Sequence, residues 1–498
     1  MKKEKILKIL ISILLINLPF LDMLRTTNFK NIEVFNLALI ELINIVLIGI
    51  SFILTFFKIE KKKFIKIFVY FVILGIYIYL HYKNVLLFDK NIFQKANPNF
   101  FIETFYIIRV YLMPIVLMFI LYENKDIFSK DYYFKIIKVI VSVICLSILI
   151  LNILKLSYIS YSETKEFVKY NIFDYFKCRS NYKLLTSRGW FDSANEISAI
   201  LFMIFPINVY LFFKEQKKYN FFLLIVQGIT MILLGTKTAA FGSIMITAFI
   251  LIYYIITSKL KYDNFHDKIF LKYIVCFIIL CFYICISPFM LSRKEEKYDY
   301  SIKDKTAYEV LNGDIDEDDI YQIFEKYHEE YMIKDVYLEE YPLKKDYTFW
   351  LNMAKRDKAL NGNNRIMKTS ILNRIEERNN NKNDKWLGLG YTSNLIDPER
   401  DYVYQYYLFG IIGLILLIGP YFYLFGLNAF MAIKNIKNSI NLKTICTMMP
   451  PVLCFIIAYM SGHVFNCITP MYYLVLVLVL SNCIERNKNE SKCNSTSL

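Results

Sequence analysis

Five short segments of the sequence hold the polar residues whose types and spacing suit chemistry best. Residues 187–196 read SRGWFDSANE. Arg188 stands beside the flexible Gly189, and Ser193 or Asn195 can cap the helix that follows, so a guanidinium fork and the amide end of a helix share one place. An anion such as a diphosphate fits that pairing; an edge arginine reaching lipid phosphate is the plainer alternative. At 235–238 the sequence GTKT puts Lys237 in a tight turn, as an anchor or as a second positive charge. Residues 397–407 (DPERDYVYQYY) set Glu399 and Asp401 just ahead of a run of tyrosines. Either carboxylate could take a proton from a hydroxyl, or both could be ordinary charges at a helix start. His463, in SGHVFN, is either a satisfied core histidine or an imidazole that hydrogen-bonds a substrate. Arg109 completes the set, inside an apolar run.

What must position these residues follows from length and composition. The chain has 498 residues, 56% hydrophobic and 17% aromatic, with a formal charge of +15. These figures exclude a disordered chain, a collagen-like fibre and a small disulfide scaffold. Apolar runs long enough to cross a bilayer recur along most of the sequence, which predicts an all-α polytopic membrane protein. Twelve spans are expected, at 6–24, 34–57, 65–82, 103–122, 136–155, 196–213, 221–235, 237–257, 270–290, 403–427, 444–461 and 469–484. Alternate connections are rich in lysine, so the positive-inside rule puts both termini in the cytoplasm. The first span has no small-residue cleavage site after it and is read as a retained anchor.

The expected organisation is a first block of nine spans (1–290), a large extracytoplasmic loop subdomain (291–402), three further spans (403–484) and a cytoplasmic tail (485–498). Within the loop, 319–341 repeats apolar residues at helical spacing, and Asn-Gly pairs at 312–313 and 361–362 mark turns. The loop holds 19 Lys/Arg against 24 Asp/Glu, so the positive excess lies elsewhere, mostly in the lysine-rich connections that orient the spans. Nucleic acid is therefore not an expected partner. Ten cysteines show no metal-ligand spacing and read as small hydrophobes, and neither metal nor cofactor is expected.

Charge inside a span is costly unless paired or wet. Arg109 lies roughly 9 Å inside the fourth expected span at the helical rise, and Glu41 lies at a similar depth in the second, with Asn44 on the same face. A Glu41–Arg109 pair and an Arg109 that holds an anionic headgroup are both open, and both keep these residues away from lipid. Lys237, in a hairpin too short to leave the bilayer, is fixed at the outer surface.

The order of segments resembles the O-antigen ligase and Wzy-type polymerase superfamily. RGWFDSANE precedes a proline-containing span, LLGTKTAAFG forms a hairpin, a large loop follows span nine, and GLGY, ERDYVYQYYLFGIIGL and SGHVFNCITP come after it. The likeness covers about residues 100–484 and is nearest to the Gram-positive capsular polymerase branch. It implies a type C glycosyltransferase-like fold in the bacterial cytoplasmic membrane and an inverting, metal-independent glycosyltransferase. The implied partners are a polyprenyl-diphosphate-linked glycan donor, the bilayer and other polysaccharide-assembly membrane proteins. The family's basic residue before span six matches Arg188. Its second basic residue, usually arginine, is matched only by Lys237, which keeps the charge but not the fork.

Ligases of the family carry a histidine near the end of the large loop, where this chain reads Glu399-Arg400-Asp401, so the likeness favours polymerisation of lipid-linked repeat units. On that reading Arg188, Lys237 and Arg109 hold the departing diphosphate. Glu399, Asp401 or His463 relieves the acceptor hydroxyl of its proton, while Asn195, Tyr402 and Tyr404 hold the glycan. Ligase-type transfer of a finished glycan to another acceptor is the nearest alternative. A flippase is the alternative from another class, although no internal repeat supports it.

Overall fold

In the computed structural model, residues 2–26, 33–34, 37–57, 59–93, 95–162, 165–175, 185–259, 267–287, 290 and 317–495 are described. The chain runs through α1 (Lys2–Thr26), a hairpin of β1 (Glu33–Val34) and β2 (Leu37–Ala38), α2 (Leu39–Phe56), α3 (Lys61–Val85) and α4 (Phe100–Ile107). A π-helical turn, Ile108–Leu112, joins α4 to α5 (Met113–Glu123). There follow α6 (Lys130–Ile153), α7 (Ala194–Glu215), α8 (Lys218–Leu233), α9 (Lys237–Lys259) and α10 (Asp267–Ile286). The large loop contributes α11 (Glu317–Tyr327), α12 (Asp335–Glu340), α13 (Tyr347–Lys355), α14 (Lys358–Asn361), α15 (Asn364–Asn379) and α16 (Asp384–Leu387). Last come α17 (Asp401–Gly413), a second π-helical turn, α18 (Gly419–Lys434), α19 (Ile436–Ser439), α20 (Leu442–Met460) and α21 (Ile468–Ser495).

Among the described residues ten helices are long and apolar enough to cross a membrane, and Glu41–Phe56 and Lys218–Leu233 are shorter apolar helices. All twelve fall on the expected runs. The chain is an all-α, multi-pass membrane protein apart from its one two-residue hairpin. That hairpin corrects the expected start of the second span: Val34 pairs with Leu37 and the helix begins only at Leu39. Glu41 is thus in the first turn of α2 and not a full two turns inside it.

Two compact units divide the chain. The first comprises Met1–Phe64, Arg109–Glu296 and Gly419–Leu498, and the second Ile65–Ile108 and Lys297–Ile418. Burial separates central from peripheral helices in the first unit. The apolar stretches of α7 and α21 are 89% buried, whereas that of α10 is 33% buried and leaves one face for lipid. Asn208 on α7 donates to Gln227 on α8 at 2.8 Å, and Gln227 donates to the Leu201 carbonyl at 3.0 Å, so the central pair is cross-linked by polar groups that hydrocarbon could not satisfy.

In the second unit the loop residues build their own core around Trp350, Tyr331, Tyr341 and Ile371, all fully buried. The helical pattern expected over 319–341 is broken: α11 gives way to a short 3-10 turn, His328–Tyr331, and Met332 adopts a positive φ of 60° before α12. Three aromatic side chains at 331, 337 and 341 reach the core only because the chain bends there. Asp346 caps α13 by accepting from the Phe349 amide and takes Arg374 at 2.6 Å. Burial alone would raise its pKa, but Arg374 and that amide hold it below the ordinary carboxylate value. The Asn361-Gly362 turn ends α14 as expected; residues 312–313 lie outside the described residues.

A strap over 384–393 docks on α17 by strand-like bonds, with Leu389 N donating to Tyr407 O at 2.7 Å and Gly390 N to Leu408 O at 2.9 Å. Those carbonyls are free to accept because α17 is interrupted at Gly410, where φ is 64° and ψ is −175°. A methyl group at Gly410 would lie 2.4 Å from the Trp386 carbonyl carbon. Gly410→Ala therefore has both a disfavoured φ and a backbone overlap, and should cost at least about 2 kcal/mol. A thermal unfolding midpoint in detergent equal to that of the parent protein would contradict this.

Candidate functional site

Five of the sequence-selected residues, Arg109, Arg188, Asn195, Lys237 and His463, belong to the first unit, and a chain of contacts links the segments that carry the last four. The Arg188 amide donates to Tyr158 O at 3.0 Å and the Tyr158 amide to Gly189 O at 2.8 Å. Gly189, with φ 65°, turns its own amide onto Ser157 Oγ at 2.8 Å. This bridge fixes the backbone under Arg188 without using its side chain. The guanidinium reaches only backbone carbonyls, Ser160 O at 3.4 Å and Ser162 O at 3.3 Å. Its Nε is buried without a hydrogen-bond partner, and the residue is 8% exposed. Burial lowers the pKa of Arg188, opposed first by the nearby carboxylate of Asp192. No carboxylate pairs with it directly among the described residues, so its charge is held in place and not spent on an ion pair.

The hairpin 234–237 is drawn to the same segment. Ser187 N donates to Leu233 O at 3.0 Å, and Tyr161 OH donates to Gly235 O at 3.1 Å. Gly235 has φ 74° and packs so tightly that a methyl group there would lie 2.3 Å from the Thr186 side chain. Lys237, the first residue of α9, is exposed and has no ion-pair or hydrogen-bond partner among the described residues. Its neighbours connect onward: Thr236 bonds Ser198 on α7 at 2.6 Å, and Thr238 lies 3.5 Å from Ser461. Beyond Ser461, Gly462 and His463 both take positive φ (67° and 65°), which swings the imidazole back over the start of α7. Asn195 Nδ2 lies 3.3 Å from His463 Nε2. Which of the two donates depends on the imidazole tautomer and the orientation of the amide. Ser193, not Asn195, caps α7, by accepting from Glu196 N at 3.3 Å, which leaves the Asn195 side chain for His463.

Arg109 sits in the π-helical turn after α4, nine residues beyond the helix start at Phe100 and deeper than a span beginning at 103 implies. Its guanidinium pairs with Glu41 at 2.9 Å. The pair lines a narrow cleft in the first unit with Asp22, Asn44 and Tyr472. Asp22, 2% exposed at the far end of α1, is a carboxylate the sequence reading did not single out. One acid in a run of leucine and methionine carried too little signal.

Glu399, Asp401, Tyr402 and Tyr404 belong to the second unit. Glu399 has φ 56°, with its amide on Asp397 Oδ1 at 2.7 Å, and its carboxylate pairs with Lys368 at 3.1 Å and Arg365 at 3.9 Å. Asp401 opens α17 and is 1% exposed. Tyr404 OH approaches Leu395 O at 3.5 Å and Tyr402 is half-buried. Glu399→Gln should change stability by less than about 1 kcal/mol, because the ion pair is about a third exposed on the carboxylate side. A melting point in detergent within a few degrees of the parent protein is the expected outcome; a large fall would show that the pair with Lys368 holds the segment.

The second unit also buries an ion pair that the sequence reading missed. His81 and Glu103 are both fully buried and 3.0 Å apart. His81 Nδ1 lies 2.5 Å from the Leu387 carbonyl, and Glu103 accepts from the amides of Tyr391 and Thr392 at 2.7 and 2.8 Å and from the Thr392 hydroxyl at 2.8 Å. Three donors and His81 Nε2 together saturate the Glu103 carboxylate, which ties the segment at 391–392 to α3 and α4. On the loop surface, His328, Glu329 and Asp335 place possible ligand atoms within 4.8 Å of one another, with His328 already on Asp335 at 2.7 Å.

A family model described as "O-antigen ligase like membrane protein" matches residues 3–486. No curated protein and no solved structure matches the chain.

Proposed function

This chain belongs to the O-antigen ligase-like membrane protein family, and from that premise we propose that it is a glycosyltransferase of the ligase type, moving a glycan from a polyprenyl diphosphate onto another acceptor. The observation that carries the reading is Arg188, which among the described residues has a buried Nε with no partner and a charge that meets no carboxylate directly. Linked to it in the same unit are Lys237, which has no ion-pair partner among the described residues, and the Asn195–His463 contact.

On this reading the anomeric carbon–oxygen bond to the diphosphate breaks as the acceptor oxygen attacks from the opposite face. Arg188 and Lys237 stabilise the charge that gathers on the departing diphosphate, a preorganised electrostatic role. His463, held by Asn195 through Nε2, takes the proton of the acceptor hydroxyl on Nδ1. Glu399 and Asp401 are less available for that proton, the first engaged by Lys368 and the second 1% exposed. Arg109, paired with Glu41, contributes to the field and not to direct contact.

The family description speaks for ligase-type transfer ahead of the repeat-unit polymerisation favoured by the sequence alone. The two separate in proteoliposomes given a polyprenyl-diphosphate-linked glycan and a second acceptor. The expected product is one glycan per acceptor, about ten- to a hundredfold slower in Lys237→Ala. A ladder of lengthening lipid-linked chains would overturn the ligase reading, and full activity in Lys237→Ala would remove that residue from the site.

A further inference from the structure

The geometry points to a second binding site, for the headgroup of an anionic glycerophospholipid, between α7, α8 and α10. A pocket of about 550 Å³ opens there, walled by Phe212, Phe221 and Ile269 and rimmed by Lys217, Lys218 and Lys272. The turn that makes it is sharp: Gln216 closes α7 in a left-handed conformation (φ 54°), and Lys217 is already the N-cap of α8. Two helices are thereby held close enough for α10 to add a third amine.

Charge balance identifies the ligand class. Glu215, beside the turn, is occupied by Lys138 at 2.8 Å and by Asn220 at 3.3 Å, and reaches Lys217 at 3.5 Å. Lys218 and Lys272 have no ion-pair partner among the described residues. The rim is net positive, so it takes a negative group, and the first-turn amides of α8 add to the same field. A soluble anion would not need the aromatic walls. The outward faces beside the pocket are apolar and exposed, with Phe222 at 53% and Leu271 at 63%, which gives acyl chains a continuous surface from pocket to bilayer. Basic pockets between membrane helices bind phospholipid headgroups in this manner. Lysines expected only to orient the spans thus acquire a ligand.

The test uses the full chain in neutral detergent, with bound lipid counted by native mass spectrometry during titration with dioleoyl phosphatidylglycerol or dioleoyl phosphatidylcholine. The glycerol lipid should bind preferentially. K217Q/K218Q/K272Q should weaken it roughly fivefold per lysine, about a hundredfold together. A charge-matched control, K5Q/K61Q/K62Q, should leave it unchanged. Equal affinity in the pocket variant, equal loss in the control, or displacement of the lipid by millimolar inorganic phosphate would each overturn the proposal. Should the triple variant not fold, Lys272→Gln alone, on an exposed helix face, is read in the same way. About fivefold weaker binding supports the site, and none overturns it.

Discussion

Arg188→Ala is expected to slow glycan transfer by about 100- to 1000-fold, the usual consequence of removing one preorganised charge donor from a developing anion. The side chain is held by two long carbonyl contacts at 3.3 and 3.4 Å, with Nε left over. Its removal frees two carbonyls at a loop, a stability cost of about 1 kcal/mol. The backbone bridge to Tyr158 and Gly189 does not depend on the side chain and should survive. Lost activity with a nearly unchanged melting point is therefore the signature. Arg188→Lys should recover less than about tenfold, because a point charge cannot reproduce the fork. Initial rates in proteoliposomes with a lipid-diphosphate-linked glycan, set beside thermal melts of the same samples, decide the matter. An alanine variant within tenfold of the parent would show that the diphosphate is held elsewhere.

The second large effect is on folding. Glu103→Ala leaves buried His81 without its carboxylate partner and strips three donors, at Tyr391 and Thr392, of their acceptor. Breaking one side of such a pair costs about 3–5 kcal/mol. The yield of monodisperse protein should fall sharply, and the melting midpoint with it. A joint replacement, His81→Leu with Glu103→Leu, should be less damaging than the sum of the two single changes, since no lone charge remains. Strict additivity of the two melting shifts would show that the groups do not act as a pair.

Much of the fold was legible because membrane spans announce themselves by run length, and each expected apolar run carries a helix. The contacts that link Arg188, Lys237 and His463 were legible in a different way: their segments look unremarkable singly, but their order along the chain matched a family pattern. Other features left no local trace. Nothing in the run containing Glu103 names Thr392, 289 positions away, as its partner. The start of α2 was misplaced because Val34 and Leu37 are as apolar as helix residues, and only the pairing of Glu33 with Ala38 and of Val34 with Leu37 shows the hairpin. The split of the expected site residues between two units was equally invisible, since nearness in sequence to the membrane face says nothing about which helices pack together. Glu399 looked like a free carboxylate for the same reason; Lys368 pairs with it from 31 positions away.

The strap over 384–393 has a consequence for how the chain is made. His81 and Glu103 leave the ribosome early and 22 residues apart, so they can neutralise each other as α3 and α4 enter the bilayer as a hairpin. The three donors that complete Glu103, and the Leu387 carbonyl that completes His81, are synthesised some 300 residues later. Until then the first pair of helices carries a half-satisfied polar centre, costly in hydrocarbon. The nascent protein has a built-in reason to remain with the insertion machinery until its large loop is finished, and truncations that stop before residue 384 should be cleared by quality control, not accumulate as stable fragments.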